Sequence, residues 1–181
     1  SPLPNPSTMV RRSVLENYDG FADPEWAEDY DFWLRLLENG EILGKVEDVL
    51  LDWFDGETRA TRTIGRYSLD QFQNAKAHYL SRLGIVKERG VVVCGAGPIG
   101  KQFARLLGKR KIEIKAFCEV NEKQIGNRLR GIPVRDSQEL GEYQGNAVAI
   151  ASVGLAGARQ QIRELAESSG FIEGTDFFCV A

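Results

Sequence analysis

Residues 91–100 read Val91-Val92-Val93-Cys94-Gly95-Ala96-Gly97-Pro98-Ile99-Gly100, and their order decides the fold of the second half of the chain. Three β-branched residues and a cysteine form a buried strand. A Gly-x-Gly-x-x-Gly string follows at once and opens a helix that runs through about Leu107 to a stop at Gly108. In that context Gly95 permits the tight turn, Gly97 lets a phosphate approach the backbone, and Gly100 lets the helix pack closely on the strand. The free N–H groups of the helix start suit an anion. Glu119 stands 19 residues after Gly100, at the end of the second strand, where a carboxylate can accept from ribose hydroxyls. The nucleotide-contacting set is therefore Gly95, Ala96, Gly97, Pro98, Ile99, Gly100 and Glu119. The alternative is that the glycines only allow close packing in a fold that holds no ligand. A P-loop is excluded: Gly95 through Gly100-Lys101 satisfies G-x-x-x-x-G-K, but Gln102 stands where Ser or Thr would hold magnesium.

Outward from this motif the pattern alternates. A strand at 112–117 ends at Glu119, a short strand lies around Pro133-Val134, and a short helix covers 136–140. Strand 147–151, helix 158–169 and strand 177–180 complete the half. Such alternation predicts a doubly wound parallel α/β sheet, Rossmann-like, with right-handed crossovers. About 90 residues amount to little more than one mononucleotide-binding unit. No Ser/Tyr-x-x-x-Lys dyad follows the motif, so hydride-transfer machinery is not expected.

Upstream, residues 28–40 open with the carboxylates of Glu28 and Asp29. Phe32, Trp33, Leu36 and Leu37 recur at helical spacing, and Gly40 supplies a left-handed stop. Carboxylates on a first turn are favoured by the helix dipole, and they serve either as caps or as a general base. A long amphipathic helix is expected from about Thr61 to Leu83, with Gly84 as its stop. The boundary falls near Lys87–Gly90, dividing the chain into 1–89, mainly helical with a short strand pair, and 90–181.

The 181 residues are 43% hydrophobic, with a net charge of −3. Residues 1–84 hold 9 Lys/Arg against 15 Asp/Glu, and residues 85–181 hold 14 against 11. That balance argues against nucleic acid as a partner. Arg59, Arg62, Arg66, Lys76, Arg82, Lys87 and Arg89 make one locally basic stretch, either a solvated helix face or a surface drawn to anionic lipid. No apolar run approaches a membrane span. Cys94, Cys118 and Cys179 sit in apolar runs and read as buried thiols in a reducing compartment, not as a disulfide framework. His78 is the only histidine, so a structural zinc site is not expected.

Two resemblances extend this. Pro4-Asn5-Pro6-Ser7-Thr8-Met9-Val10-Arg11-Arg12-Ser13, Tyr18-Asp19-Gly20-Phe21 and Ala27-Glu28-Asp29-Tyr30-Asp31-Phe32-Trp33-Leu34-Arg35-Leu36 resemble the C-terminal part of a bacterial family 2 (GT-A type) glycosyltransferase. The resemblance continues through Gly40-Glu41-Ile42 and Val46-Glu47-Asp48-Val49-Leu50-Leu51, similar to that family's short strand pair. It implies an inverting, nucleotide-sugar-dependent transferase in polysaccharide biosynthesis, acting on a saccharide or lipid-linked acceptor. Asp29 would be the catalytic base and Glu28 its partner. The family's donor-binding half, with its Asp-x-Asp motif, has no counterpart here, so a divalent metal is expected only in that half and this stretch alone is not expected to be an enzyme. Val92-Val93-Cys94-Gly95-Ala96-Gly97, Phe117-Cys118-Glu119-Val120 and Leu129-Arg130-Gly131-Ile132-Pro133-Val134 are similar to the small Rossmann-like N-terminal domain of bacterial sugar acyltransferases. That resemblance implies a UDP-sugar or another nucleotide as ligand. An NAD(P)-binding oxidoreductase module and a purely structural, partner-positioning module are the alternatives. The expected location is the cytoplasm or the inner membrane surface.

Overall fold

The computed structural model describes residues 3, 5–52, 54, 56 and 63–181. By its internal contacts the chain divides into two units, Ser1–Tyr79 and Leu80–Ala181.

In the first unit, helix α1 spans Arg12–Asn17, α2 Glu28–Glu38 and α3 Leu69–Leu80, with a 3₁₀ turn at Gly65–Tyr67. Helix α2 buries apolar side chains on two sides. Phe32, Trp33 and Leu36 pack with Val10, Val14, Leu15 and Tyr18, while Ala27 and Tyr30 pack with Phe72, Tyr67 and Ala75. Leu37, expected on the apolar face, is about half exposed. Gly40 ends the helix with φ +81°, where a side chain would be strained.

The expected strand pair after α2 is absent from the described residues. Residues 41–52 form no regular structure, and Ile42 is 93% and Val49 89% exposed. An isolated strand pair does not hold itself together without a sheet or helix to cover one face. The expected connector is also corrected where it is described; its first residues, 61 and 62, lie outside the described residues. Ser68, with extended backbone, separates the 3₁₀ turn from α3. Gly84 begins a further helix, α4 (Gly84–Arg89), instead of ending one.

The second unit holds a six-stranded sheet: β1 Val91–Cys94, β2 Ile114–Glu119, β3 Arg128–Leu129, β4 Ile132–Asp136, β5 Val148–Ala151 and β6 Phe177–Cys179. The order is β3-β4-β2-β1-β5-β6. Five strands are parallel, but β3 runs antiparallel to β4. The sheet is therefore mixed, which corrects the wholly parallel expectation. The cause is a two-residue turn at Arg130 (φ +53°) and Gly131 (φ +85°), the left-handed pair that closes a tight hairpin.

Both faces of β1 are covered, so all four of its residues are buried. Val92, Cys94, Ala116, Cys118 and Ala149 share one face with Leu140, Ala166 and Phe171. On the opposite side, helix α5 (Pro98–Lys109) packs against β1 and β2, and α4 packs against β5. The expected helix at 136–140 is a 3₁₀ segment, Ser137–Tyr143, capped by Asp136, whose carboxylate accepts from Gln138 N–H. Helix α6 spans Ala156–Ser168.

Candidate functional site

β1 delivers its carboxyl end to the glycine loop, and each glycine there has a separate cause. Gly95 adopts φ +103°. A Cβ on Gly100 would lie 2.0 Å from the Gly95 carbonyl oxygen and 2.6 Å from Ser152 Oγ, so only hydrogen fits where α5 meets the strand. A Cβ on Gly97 would meet nothing within 4 Å. Close packing therefore explains Gly100 but not Gly97, whose open side is where an anion could approach. Gly97 is also the N-cap of α5, Pro98 is the first helical residue, and no side chain caps this end. The amides of the first turn thus have no intrahelical acceptor. Ser152 braces the loop from β5: its hydroxyl lies 2.9 Å from the Cys94 carbonyl and 3.0 Å from that of Gly95.

Glu119 ends β2 with its carboxylate pinned. Oε2 accepts from Ala96 N–H at 2.8 Å, and Oε1 accepts from Val120 N–H at 2.8 Å and Asn121 N–H at 3.2 Å. Ala96 N–H is thereby engaged by Glu119. In exchange, Glu119 is held beside the glycine loop with one lone pair, on Oε2, still open. Loop and carboxylate border one cleft of about 580 Å³, within the usual size of small-molecule sites. Gly95, Gly97, Pro98, Ile99 and Glu119 all line it; the expected residues Ala96 and Gly100 do not, since one faces Glu119 and the other the strand. Pattern reading missed Ser152, Gln138 and Gln161, which also line the cleft. Only strand register brings them there.

Beneath the cleft, Cys118, Cys94, Ala151 and Cys179 stand side by side on β2, β1, β5 and β6. Cys94 and Cys118 are 4% and 2% exposed. Burial, and then the nearby carboxylates Glu139, Asp136 and Glu142, push the Cys118 thiol up to about 12. Burial pushes Cys94 in the same direction, helped by Cys118 and Cys179. Neither is a reactive thiolate at neutral pH.

The first unit puts the other predicted residues to structural use. Glu28 accepts from Tyr67 OH at 2.9 and 2.8 Å, and desolvation followed by that carboxylate pushes Tyr67 up to about 12. Asp29 accepts from Tyr30 N–H at 2.6 Å, and desolvation raises its pKa. Asp31 is buried, accepts from Trp26 Nε1 (2.9 Å) and Tyr79 OH (2.8 Å), and pairs with Arg35 at 3.3 Å. Arg35 in turn donates to the carbonyls of Tyr18 and Gly20. The coincidence of carboxylates, aromatics and arginine in 28–36 thus has a packing explanation. Among the described residues, no group of three or more His, Cys, Asp and Glu is placed to hold a metal, and no helix is long and apolar enough to cross a membrane.

Residues 86–171 match the family model described as CoA binding domain, just under half of the chain. Over 63 residues the chain is 38% identical to the redox-sensing transcriptional repressor Rex of Clostridium kluyveri, covering 34% of this chain and 30% of that protein. It is 42% identical over 65 residues to Rex of Clostridium botulinum strain Eklund 17B, covering 35% and 31%, and 31% identical over 91 residues to Rex of Clostridioides difficile, covering 48% and 43%. The chain spans less than half the length of these relatives. A solved structure of RSP, a Rex-family repressor, aligns at 15% identity with a TM-score of 0.44, covering 96% of this chain and 87% of that one, a likeness too weak to carry an argument.

These matches overturn both resemblances. The chain is similar to redox-sensing repressors and its residues 86–171 match a CoA binding domain, not a sugar acyltransferase domain, and the glycosyltransferase function and its roles for Asp29 and Glu28 lose their basis. The oxidoreductase and purely structural alternatives are corrected on the same ground. So is the exclusion of nucleic acid, since the relatives are named transcriptional repressors. The overall charge averaged two unlike halves: the acidic excess lies in residues 1–84, whereas residues 85–181 carry more Lys and Arg than Asp and Glu. Nothing in the matches points to the inner membrane surface or to a UDP-sugar.

Proposed function

We propose that the second unit binds a nicotinamide dinucleotide, NAD+ or NADH, in the glycine-loop cleft and serves as a redox-sensing domain. The observation that carries this is the open side of Gly97 at the uncapped start of α5, next to the Glu119 carboxylate, which is held in place with one acceptor site open for a ribose hydroxyl. The relatives are named for redox sensing. A protein senses redox state through thiols or through a cofactor, and the thiols bordering this cleft are buried and protonated. A nicotinamide ring supplies the redox chemistry instead. Transcriptional control, as the relatives' name describes it, belongs to the proposal too: cleft occupancy would alter DNA binding.

CoA is the second ligand reading, favoured by the family model's description. Its ribose carries a phosphate, as NADP+ does, and the Glu119 carboxylate would repel either. Calorimetric titration of the full chain with NADH, NAD+, NADP+, CoA and UDP tests this. NADH or NAD+ should bind tightest, with dissociation constants of about tens of micromolar or lower, near −6 kcal/mol or better. Tighter CoA binding would replace the dinucleotide with the second reading, and no binding by any adenine nucleotide would remove both. Retention on duplex DNA, with and without NADH, tests the coupling.

A further inference from the structure

The cleft divides about the glycine loop. On the β5 side it is lined by Val153, Gly154, Ala158 and Gln161, and on the β2–β4 side by Val120, Ser137 and Gln138. Glu119 pairs in register with Asp136, so Val120 lies one residue beyond the first and Gln138 two residues beyond the second. The ends of β2 and β4 therefore flank the carboxylate, and a base lying on that side of a ribose held there would meet Val120 and Gln138. Two features there lack an occupant of their own. Val120 is 77% exposed, one of the few large apolar side chains of this unit that is not covered. Gln138 has its backbone fixed by the Asp136 cap at 2.9 Å, while its side-chain amide makes no hydrogen bond among the described residues.

We propose that Gln138 is a specificity-determining residue that reads the 6-amino and N7 edge of an adenine ring seated against Val120. The inference rests on the dinucleotide reading above and adds a base preference to it. A glutamine amide offers an acceptor beside a donor, which matches the adenine amino group beside N7. Hypoxanthine presents two acceptors on that edge and matches only half. The apolar flank removes water, which sharpens the penalty for the mismatch.

The test compares NAD+ with nicotinamide hypoxanthine dinucleotide, in which an oxo group replaces the 6-amino group and N1 carries a proton, by calorimetry on the full chain and on Gln138→Leu. The wild-type chain should bind NAD+ about tenfold more tightly than the hypoxanthine analogue. Gln138→Leu should weaken NAD+ until the two differ by about twofold or less, while melting like the wild type because the side chain is exposed. Equal wild-type affinities, or a preference that survives Gln138→Leu, would overturn the role of Gln138 and leave dinucleotide binding standing. Binding of neither compound by the wild type would sink both.

Discussion

Gly97 and Gly100 are three residues apart in one motif, yet the structure assigns them opposite sensitivities, and substituting each separates ligand binding from packing. Gly97→Val places its side chain in open space, at φ −72° and ψ −175°, an extended conformation open to any residue. Two small terms offset each other. Valine is a poorer N-cap than glycine, at a cost of several tenths of a kcal/mol. Its stiffer unfolded chain returns about 0.4–1 kcal/mol. The net change should be within about 1 kcal/mol, or a few degrees in Tm for a domain of this size. The valine methyls would nonetheless fill the space a phosphate needs, so nucleotide affinity should fall at least about a hundredfold, equivalent to about 2.8 kcal/mol. Gly100→Ala is the reverse case. Its Cβ would lie 2.0 Å from a backbone oxygen, and relief requires α5 to move off β1. Overpacking of that kind costs about 3 kcal/mol or more, lowering Tm by roughly 10 °C or more. Calorimetric scanning and NADH titration of both variants decide the matter. If Gly97→Val binds NADH like the wild type, the start of α5 is not the anion site. If Gly100→Ala melts with the wild type, the close approach is not what this glycine is for.

Three further outcomes follow from the geometry. Glu119→Gln keeps an oxygen for the loop amides but removes the charge, so the preference for NAD+ over NADP+ should narrow by about tenfold; an unchanged ratio in competition titrations would refute charge exclusion. Burial raises both Cys94 and Cys118, the latter from an ordinary 9.0 to about 12. The unfolded chain therefore ionises first, and stability that is full below pH 9 drains as pH rises toward 12, by up to about 1.4 kcal/mol per thiol for each pH unit. Urea unfolding at pH 7.5 and 10 should show the loss, and a Cys94→Ala, Cys118→Ala double variant should show less of it. Asp31→Ala leaves the Arg35 guanidinium without its carboxylate and should cost the first unit about 3 kcal/mol, read as a lower unfolding midpoint and a shift in tryptophan emission. A loss under about 1 kcal/mol would mean that the ion pair is incidental.

The strand, glycine loop and helix at 91–109 were legible because each residue there satisfies a local rule and the global fold together. The position of Glu119 was legible from its spacing after Gly100 and from the strand that it ends. The β3–β4 hairpin was not, because Arg130 occupies a left-handed position usually filled by Asn, Asp or Gly. Gly84 misled because glycine marks helix ends of either polarity, and here it starts α4. The string Glu28-Asp29…Trp33-x-Arg35 misled more deeply. Its residue types suit catalysis, but Asp31 and Arg35 are joined to Trp26, Tyr79 and two backbone carbonyls, pairings that only tertiary structure reveals. Ser152 and Gln138 lie far along the chain from the glycine loop, and no local pattern connects them to it.

The row of sulfur atoms along the ends of β2, β1 and β6 gives the protein a native optical reporter. The S–H stretch absorbs where proteins are otherwise nearly transparent, and its frequency follows the local field and hydrogen bonding. Cys94 and Cys118 form the cleft floor and stay protonated across the neutral range. Their vibrational bands should therefore register the arrival of a charged diphosphate without any attached label. Cys179, outside the cleft lining, supplies the reference band in the same spectrum.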